Sequence, residues 1–449
     1  MAEQSPPAAT AARQQRHHFV TTRSDYSVMI THPRNRRVLF CTDTYPPQLN
    51  GVSVVTALSV QGLAQRGWRC AVVAPRYPAG NGGPEALAVT GAESEMLTVP
   101  STGLPAYPDI RLSAPALGAV GRLMDNFQPD LVHCETEFVL GRMGQIAAAR
   151  RNIPCVSSYH TDFSRYATSY GWPSLAPPIS RYVGRFHRRS ARVYTPSGPA
   201  RDDLRALGVN NVEVWGRGVD TELFNPHRRS PELRESFGMG SRFTFLYVGR
   251  FAAEKNVEVV LEAFARASES LPHGLMHLVI AGAGPLERTL RAVAPRGVSF
   301  LGQLDRRAVL PDLYANADAF VFASLTETLG LVVLEAMASG LPVLAAPAGG
   351  VADHLRDGVN GIACEPGNAE SLARAMVRMV ESPIQALDLR QGARRTAEQL
   401  TWDAELDRLE LSYSEVLLRQ PHFPLPTSHS PLIREPAADD RPLAQRAVG

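Results

Sequence analysis

The sequence predicts an α/β protein of two parallel sheets, each covered by helices on both faces and set opposite each other across a cleft. Three observations carry that expectation. The chain has 449 residues, more than one core of about 100–200 residues accommodates, so two lobes are expected. Apolar residues make up 44% and charged residues 20%, the balance of a chain with sizeable cores and not of collagen, a coiled coil or a disordered polymer. Short apolar runs alternate with amphipathic stretches, the grammar of strand, loop and helix that builds parallel sheets.

Taken in order, RVLFCT (37–42) reads as a strand, GVSVVTALSVQGLAQRG (51–67) as an amphipathic helix stopped by glycine, and WRCAVVAP (68–75) as the next strand. DLVHCE (130–135), a helix ending near Arg151 and IPCVSSYH (153–160) extend the same sheet. A second series begins with FTFLYVGR (243–250) and runs through helix 256–271, strand 276–284, helix 285–294, strand VSFLG, helix 306–315, strand AFVFAS, helix 329–339 and strand PVLAAP. Further helices continue to about residue 418. The segment 213–238 mixes Gly, Pro and both charges without a period, which suits a connection, placed at 218–240. The lobes are therefore expected at 36–217 and 241–418, the latter with its terminal helices. Residues 1–35 and 419–449 are polar or proline-rich without periodicity and read as disordered tails.

Composition excludes several roles. A formal charge of +2 gives no field that argues for a nucleic-acid partner. The five cysteines, Cys41, Cys70, Cys134, Cys155 and Cys364, are odd in number and widely spaced; they read as small buried hydrophobes in a reducing compartment. The N-terminus lacks the apolar run of a secretion signal, and no stretch approaches about 18 uncharged apolar residues. A cytoplasmic protein is expected, with membrane contact peripheral at most. The cations are 45 arginines and one lysine, Lys255.

In open α/β sheets, ligands sit outside the carboxyl ends of the strands. After the first strand, TDTYPPQLNGVS leads to Gly51 at a helix start, where free N–H groups and a partial positive charge favour a phosphate; a helix that simply needs a glycine at its cap would look the same. His160 ends IPCVSSYH and can donate a hydrogen bond or shuttle a proton there, or be satisfied by backbone. In the second lobe Arg250 closes a strand and Lys255 follows in GRFAAEKN, two cations able to neutralise a diphosphate. A chain that keeps its single lysine here suggests that arginine does not fit. Glu327 stands in the loop after AFVFAS, Thr328, Leu329 and Gly330 form the following helix start, and Glu335 lies about 9 Å along that helix's axis from its start at about 1.5 Å per residue. Inside LGLVVLEAMA, Glu335 is a charge that needs a partner, and a ligand hydroxyl would supply one. The run RYVGRFHRRSARVY (181–194) carries Arg181, Arg185, Arg188, Arg189 and Arg192, a patch for anionic headgroups or a solvated helix face. Gly282-Ala283-Gly284 begins like a dinucleotide fingerprint, but Glu287 replaces its third glycine and no acid ends the next strand.

Together, PPQLNGVS, SYHTDF, GRGVD (216–220), GRFAAEKN, GAGPLE and SLTETLGLVVLEAMASGLPV resemble the retaining glycosyltransferases of family 4 over about residues 37–415. WGRGVD with YHTDFSRYATSYG is similar to GDP-mannose-dependent α-mannosyltransferases acting on lipid acceptors. The resemblance implies the GT-B fold, two Rossmann-like doubly wound domains, and a hexosyltransferase that moves mannose from GDP-mannose, with α linkage, to a lipid or glycan hydroxyl. A UDP-sugar-dependent glycolipid synthase (glucose, glucuronate or sulfoquinovose), or an epimerase or phosphorylase of the same fold, is the alternative. It implies no metal and no cofactor beyond the donor. Gly51, Arg250 and Lys255 would meet the diphosphate, Glu327 with the Thr328–Gly330 backbone the donor sugar, Glu335 the ribose, and His160 the transferred sugar. Tyr45, Asn50 and Asp162 would lie on the acceptor side.

Overall fold

The computed structural model describes residues 35–48, 50–77, 91–104, 107–169 and 171–419. Apart from Asn35 and Arg419, the expected tails lie outside the described residues.

The first lobe holds β1 (Arg37–Cys41), β2 (Arg69–Pro75), β3 (Glu93–Val99), an antiparallel hairpin of β4 (Ser101–Leu104) and β5 (Tyr107–Ser113), then β6 (Leu131–Cys134), β7 (Cys155–Ser158), β8 (Arg192–Thr195) and β9 (Val212–Val214). Its seven-stranded sheet has the order β3-β2-β1-β6-β7-β8-β9, parallel throughout. The second lobe holds β10 (Phe243–Val248), β11 (Met276–Ala281), β12 (Val298–Gly302), β13 (Ala319–Phe322), β14 (Val343–Ala345) and β15 (Gly361–Ala363). These pair in the order β12-β11-β10-β13-β14-β15, again all parallel. In each sheet the winding reverses beside the first strand, between β1 and β6 and between β10 and β13. The loops leaving those strands splay apart there and open a crevice.

The strands are apolar on both faces because both faces are covered. Val38 and Phe40 of β1 enter one core and Leu39 and Cys41 the other, as the two-residue period of a strand requires. Cys70, Val72 and Ala74 repeat this against Ala71 and Val73 in β2. All five cysteines are buried and free.

One element departs from chain order. The helix Trp402–Leu418, expected with the second lobe, buries Leu406, Leu409, Tyr413, Val416 and Leu417 among Val38, Phe40, Val72, Tyr194 and Trp215 of the first. Gly62 makes this seat: a Cβ there would lie 2.2 Å from Leu406 Cδ1. The chain thus passes between lobes twice, outward between Trp215 and Val219 and back between Leu400 and Trp402. The two passages touch, with the Val219 amide donating to the Leu400 carbonyl at 2.9 Å. The antiparallel hairpin and the edge strand β3 were not among the expected elements.

Trp68 and Trp215 both belong to the core that receives the last helix, so their fluorescence reports on this lobe. Leu409→Ala, at a fully buried position, is expected to cost about 2–5 kcal/mol. Denaturation followed by tryptophan fluorescence should shift to lower denaturant. An unmoved fluorescence transition would contradict this seating of the helix.

Candidate active site

The carboxyl ends of β10 and β13 bring together what the sequence set 72 residues apart. Lys255 ends the short 3-10 turn Ala253–Lys255, and its Nζ donates to Glu327 Oε1, both side chains 15% exposed. Arg250 lies at the end of β10 in the same loop. Glu327 is held from behind: its carbonyl accepts from the Gly350 amide at 2.7 Å, and a Cβ on Gly349 would lie 2.2 Å from that carbonyl oxygen. Gly349 and Gly350 therefore clamp the Glu327–Leu329 backbone, a role that sequence reading missed. Gly330 sits at φ +80°, the left-handed region, and starts the helix Leu331–Ala338.

Glu335 is 2% exposed in that helix, and its partner is within the protein. Oε1 accepts from Arg306 Nε at 2.9 Å and Nη2 at 2.6 Å, and Oε2 from the Tyr314 hydroxyl at 3.3 Å. The expectation that a ligand must satisfy this charge is corrected, because Arg306 already does so. The Gly282–Gly284 motif is also structural. A Cβ on Gly282 would lie 1.9 Å from the Gly249 carbonyl oxygen and one on Gly284 2.4 Å from that of Phe251, so the glycines let the loops after β10 and β11 touch.

On the facing lobe, Asn50 caps the helix Gly51–Gln65, its Oδ1 accepting from the Ser53 amide at 2.9 Å. Its Nδ2 donates to Thr44 Oγ1 at 2.7 Å, so the Asn50 side chain serves the loop and the helix. With Asn50 as cap, Gly51 is not demanded by conformation, and a Cβ there would meet nothing within 4 Å. Tyr45 is corrected as an acceptor-side residue. Its ring is fully buried in the first core and its hydroxyl donates to Glu93 Oε1 at 2.5 Å, because the loop turns this side chain inward. Asp162 caps the helix Phe163–Ser169 through the Ser164 and Arg165 amides, both at 3.1 Å, and pairs Arg165 Nε at 2.9 Å. Asp162, Arg165 and Asp203 line a cavity between the lobes together with Thr326, Glu327 and Thr328.

His160 follows β7, and both of its ring nitrogens are engaged. Nε2 lies 2.7 Å from Glu135 Oε2 and Nδ1 3.3 Å from Arg217 Nη2. The expected proton shuttle is corrected accordingly: neither nitrogen is available for it. The His160 carbonyl accepts from Thr328 Oγ1 of the opposite lobe at 2.5 Å. A second bond across the cleft runs from the Gly198 amide to Asp353 Oδ2 at 2.7 Å.

Behind His160 lies a dry network that sequence reading did not find. Glu135 is fully buried; burial pushes its carboxyl up, but His133, His160 and Arg217 together outweigh that and hold it at about 2. His133 stands 3.6 Å from Glu135 Oε1 and contacts the Tyr413 hydroxyl at 2.5 Å and Ser158 Oγ at 2.7 Å; burial holds its imidazole down at about 4. Arg217, 2% exposed, stacks 3.8 Å above the Trp215 ring and donates to the Trp215 and Gly216 carbonyls, and burial brings it to about 10.

The unfolded chain's His133 takes a proton near its ordinary pKa of about 6.5, whereas the folded protein's does so only near 4. This contribution to stability is therefore complete above about pH 6.5 and lost as pH falls through that window. The melting temperature is expected to drop between these values, and His133→Gln to flatten the slope there. An unchanged slope in the variant would contradict a buried neutral His133.

Residues 49–223 match the family Glycosyltransferase Family 4 and residues 242–382 match Glycosyl transferases group 1. A GDP-mannose-dependent alpha-mannosyltransferase of Mycobacterium tuberculosis is 33% identical over 382 residues, covering 85% of this chain and 97% of that protein. A sulfoquinovosyl transferase of Arabidopsis thaliana is 31% identical over 315 residues, 68% of this chain and 60% of that protein. Among solved structures, a sucrose-phosphate synthase of Thermosynechococcus elongatus superposes with a TM-score of 0.71 at 18% identity, over 86% of this chain and all of the other. With two parallel sheets opposed across a cleft and these matches along its length, the chain belongs to the group 1, family 4 glycosyltransferases and is a hexosyltransferase of GT-B fold.

Proposed function

We propose that this chain transfers mannose from GDP-mannose, with retention of the α configuration, to a hydroxyl of a lipid acceptor. The mannosyl part of this reading draws on the similarity to the mycobacterial mannosyltransferase. The observation that carries the chemistry is the Lys255–Glu327 contact at the crevice between β10 and β13.

Breaking the anomeric C–O bond leaves negative charge on the diphosphate and positive character on the sugar. Lys255 and Arg250 would stabilise the leaving group from the second lobe, and the N-terminus at Gly51, open on its Cβ side, would add N–H groups from the first. Glu327, beside Lys255, would accept hydrogen bonds from the sugar hydroxyls while the Thr328–Gly330 backbone approaches the same ring. The ribose would share the Glu335 carboxylate with Arg306. No side chain is assigned as a nucleophile, and His160 borders the sugar without moving a proton. Asp162, with Arg165 and Asp203, would face the acceptor in the interlobe cavity; Asn50 would act by fixing the loop beside it.

A lipid acceptor is supported by a basic, exposed segment of the first lobe. No acidic residue falls between Asp162 and Asp202, where seven arginines do. Arg181, Arg185, Arg188 and Arg189 are exposed, with Trp172, Leu175 and Tyr182 exposed beside them in sequence at 57%, 47% and 42%. Arg192 leaves the patch, since it pairs with Glu213 and Glu415. Cations beside aromatic and aliphatic groups suit an anionic lipid interface, and no helix among the described residues is long and apolar enough to cross a membrane.

GDP-mannose at about 100 times its Kd is expected to stabilise the protein by about 2.7 kcal/mol, read as a thermal shift absent with UDP-glucose, UDP-glucuronate and UDP-sulfoquinovose. A shift with one of these alone would reassign the donor. Glu327→Ala should lower kcat/KM by about 10²–10³ or more without loss of fold, and Lys255→Arg should also impair transfer despite equal charge; normal turnover by Lys255→Arg would refute the steric demand for lysine. Co-sedimentation with anionic vesicles should fall on replacing Arg188 and Arg189 together, and indifference to that change would remove the membrane contact.

A further inference from the structure

His160 is gripped by groups with opposite and fixed hydrogen-bonding capacities. A guanidinium only donates and a carboxylate only accepts. With Arg217 on Nδ1 and Glu135 on Nε2, a single form of the ring satisfies both: Nδ1 bare, Nε2 bearing the hydrogen. A protonated ring would set an N–H against Arg217, and the other tautomer would oppose donor to donor and acceptor to acceptor.

The two partners differ in where they are anchored. Glu135 follows β6 in the interior of the first lobe, fully buried, with His133 behind it tied to Tyr413 of the last helix. Arg217 lies at the start of the outward passage between the lobes, its guanidinium held by the ring of Trp215, itself buried in the first core, and by the Trp215 and Gly216 carbonyls. The third contact comes from across the cleft, where Thr328, beside Glu327, donates to the His160 carbonyl. His160 is therefore held by the interior of the first lobe, by the start of the outward passage and by the opposite lobe.

We propose that Glu135 and Arg217 are positioning residues for glycosyl transfer: they lock His160 as the neutral Nε2–H imidazole beside the contact that its carbonyl makes with Thr328 across the cleft. This rests on the transferase reading for its kinetic consequence and on geometry alone for the tautomer. Neither residue need touch donor or acceptor.

The experiment uses the full-length enzyme. Long-range ¹⁵N–¹H correlation of histidine-labelled protein, with the His160 signals identified by their loss in His160→Gln, should show one Nε2–H tautomer at neutral pH. In Glu135→Gln and Arg217→Lys that signature should give way to a mixture. Both variants should lose about 10–100-fold in kcat while the donor KM stays within about threefold. Arg217→Lys supplies the test should Glu135→Gln fold poorly. An Nδ1–H or imidazolium signature in the wild type would overturn the proposal. So would wild-type kcat in both variants, or lost activity that tracks lost folded protein with the tautomer unchanged. If the wild type neither transfers nor hydrolyses any nucleotide sugar, the transferase reading fails, and the wild-type tautomer still decides the lock.

Discussion

A carboxylate in a dry interior survives only where positive charge and donors converge on it, and Glu135 is placed where that demand organises much of the first lobe. Three basic groups reach it: His133 from β6, His160 from the end of β7 and Arg217 from the passage between lobes. Tyr413 of the last helix completes the ring around His133. These segments are joined in sequence by loops and a whole second lobe, so the cluster forms only when the sheet, the connection and the C-terminal helix are all in place. Truncating Arg217 would leave Glu135 a buried charge without a cation beside it, far costlier than the loss of one surface ion pair.

The same demand recurs in the second lobe with a different solution. Glu335 is neutralised in place by Arg306 and Tyr314, and Lys255 and Glu327 neutralise each other at the crevice mouth. In the first pair the carboxylate itself is buried, whereas in the second the Glu327 carboxylate is partly exposed, so its partner can be exchanged for charged and hydroxylated groups of an incoming molecule. Position within the sheet sorts the two. Glycines sharpen the contrast, since Gly349 and Gly350 press on the Glu327 loop and fix its backbone while its side chain stays reachable.

How much of this was legible depended on the range of the interaction. Strands with continuous apolar runs, the helix after Gly51, and Lys255 and Glu327 at strand ends could be read because each depends on neighbours within one strand-loop-helix unit. Glu135 could not: it follows DLVHC like any strand-end acid, and its partner Arg217 stands 82 residues away, a pairing that only the fold creates. Tyr45 looked available because its loop is polar, yet the loop turns that ring into the core. Glu335 was rightly read as a charge needing a partner; the partner, Arg306, sits in an Asp-Arg-Arg run with nothing to distinguish it from a solvated turn. The last helix followed the second lobe in sequence, and no local pattern says that its apolar face completes the first.

That return has a consequence for how the molecule is made. Because the chain leaves the first lobe after Trp215 and comes back only at Trp402, the lobe begun first on the ribosome is the last to be finished. Throughout translation of the intervening stretch, the surface awaiting Leu406, Leu409 and Tyr413 stays uncovered. A nascent chain of this kind must shelter an open apolar seam until its final turns emerge, and a message broken near its end would release a completed second lobe beside an incomplete first.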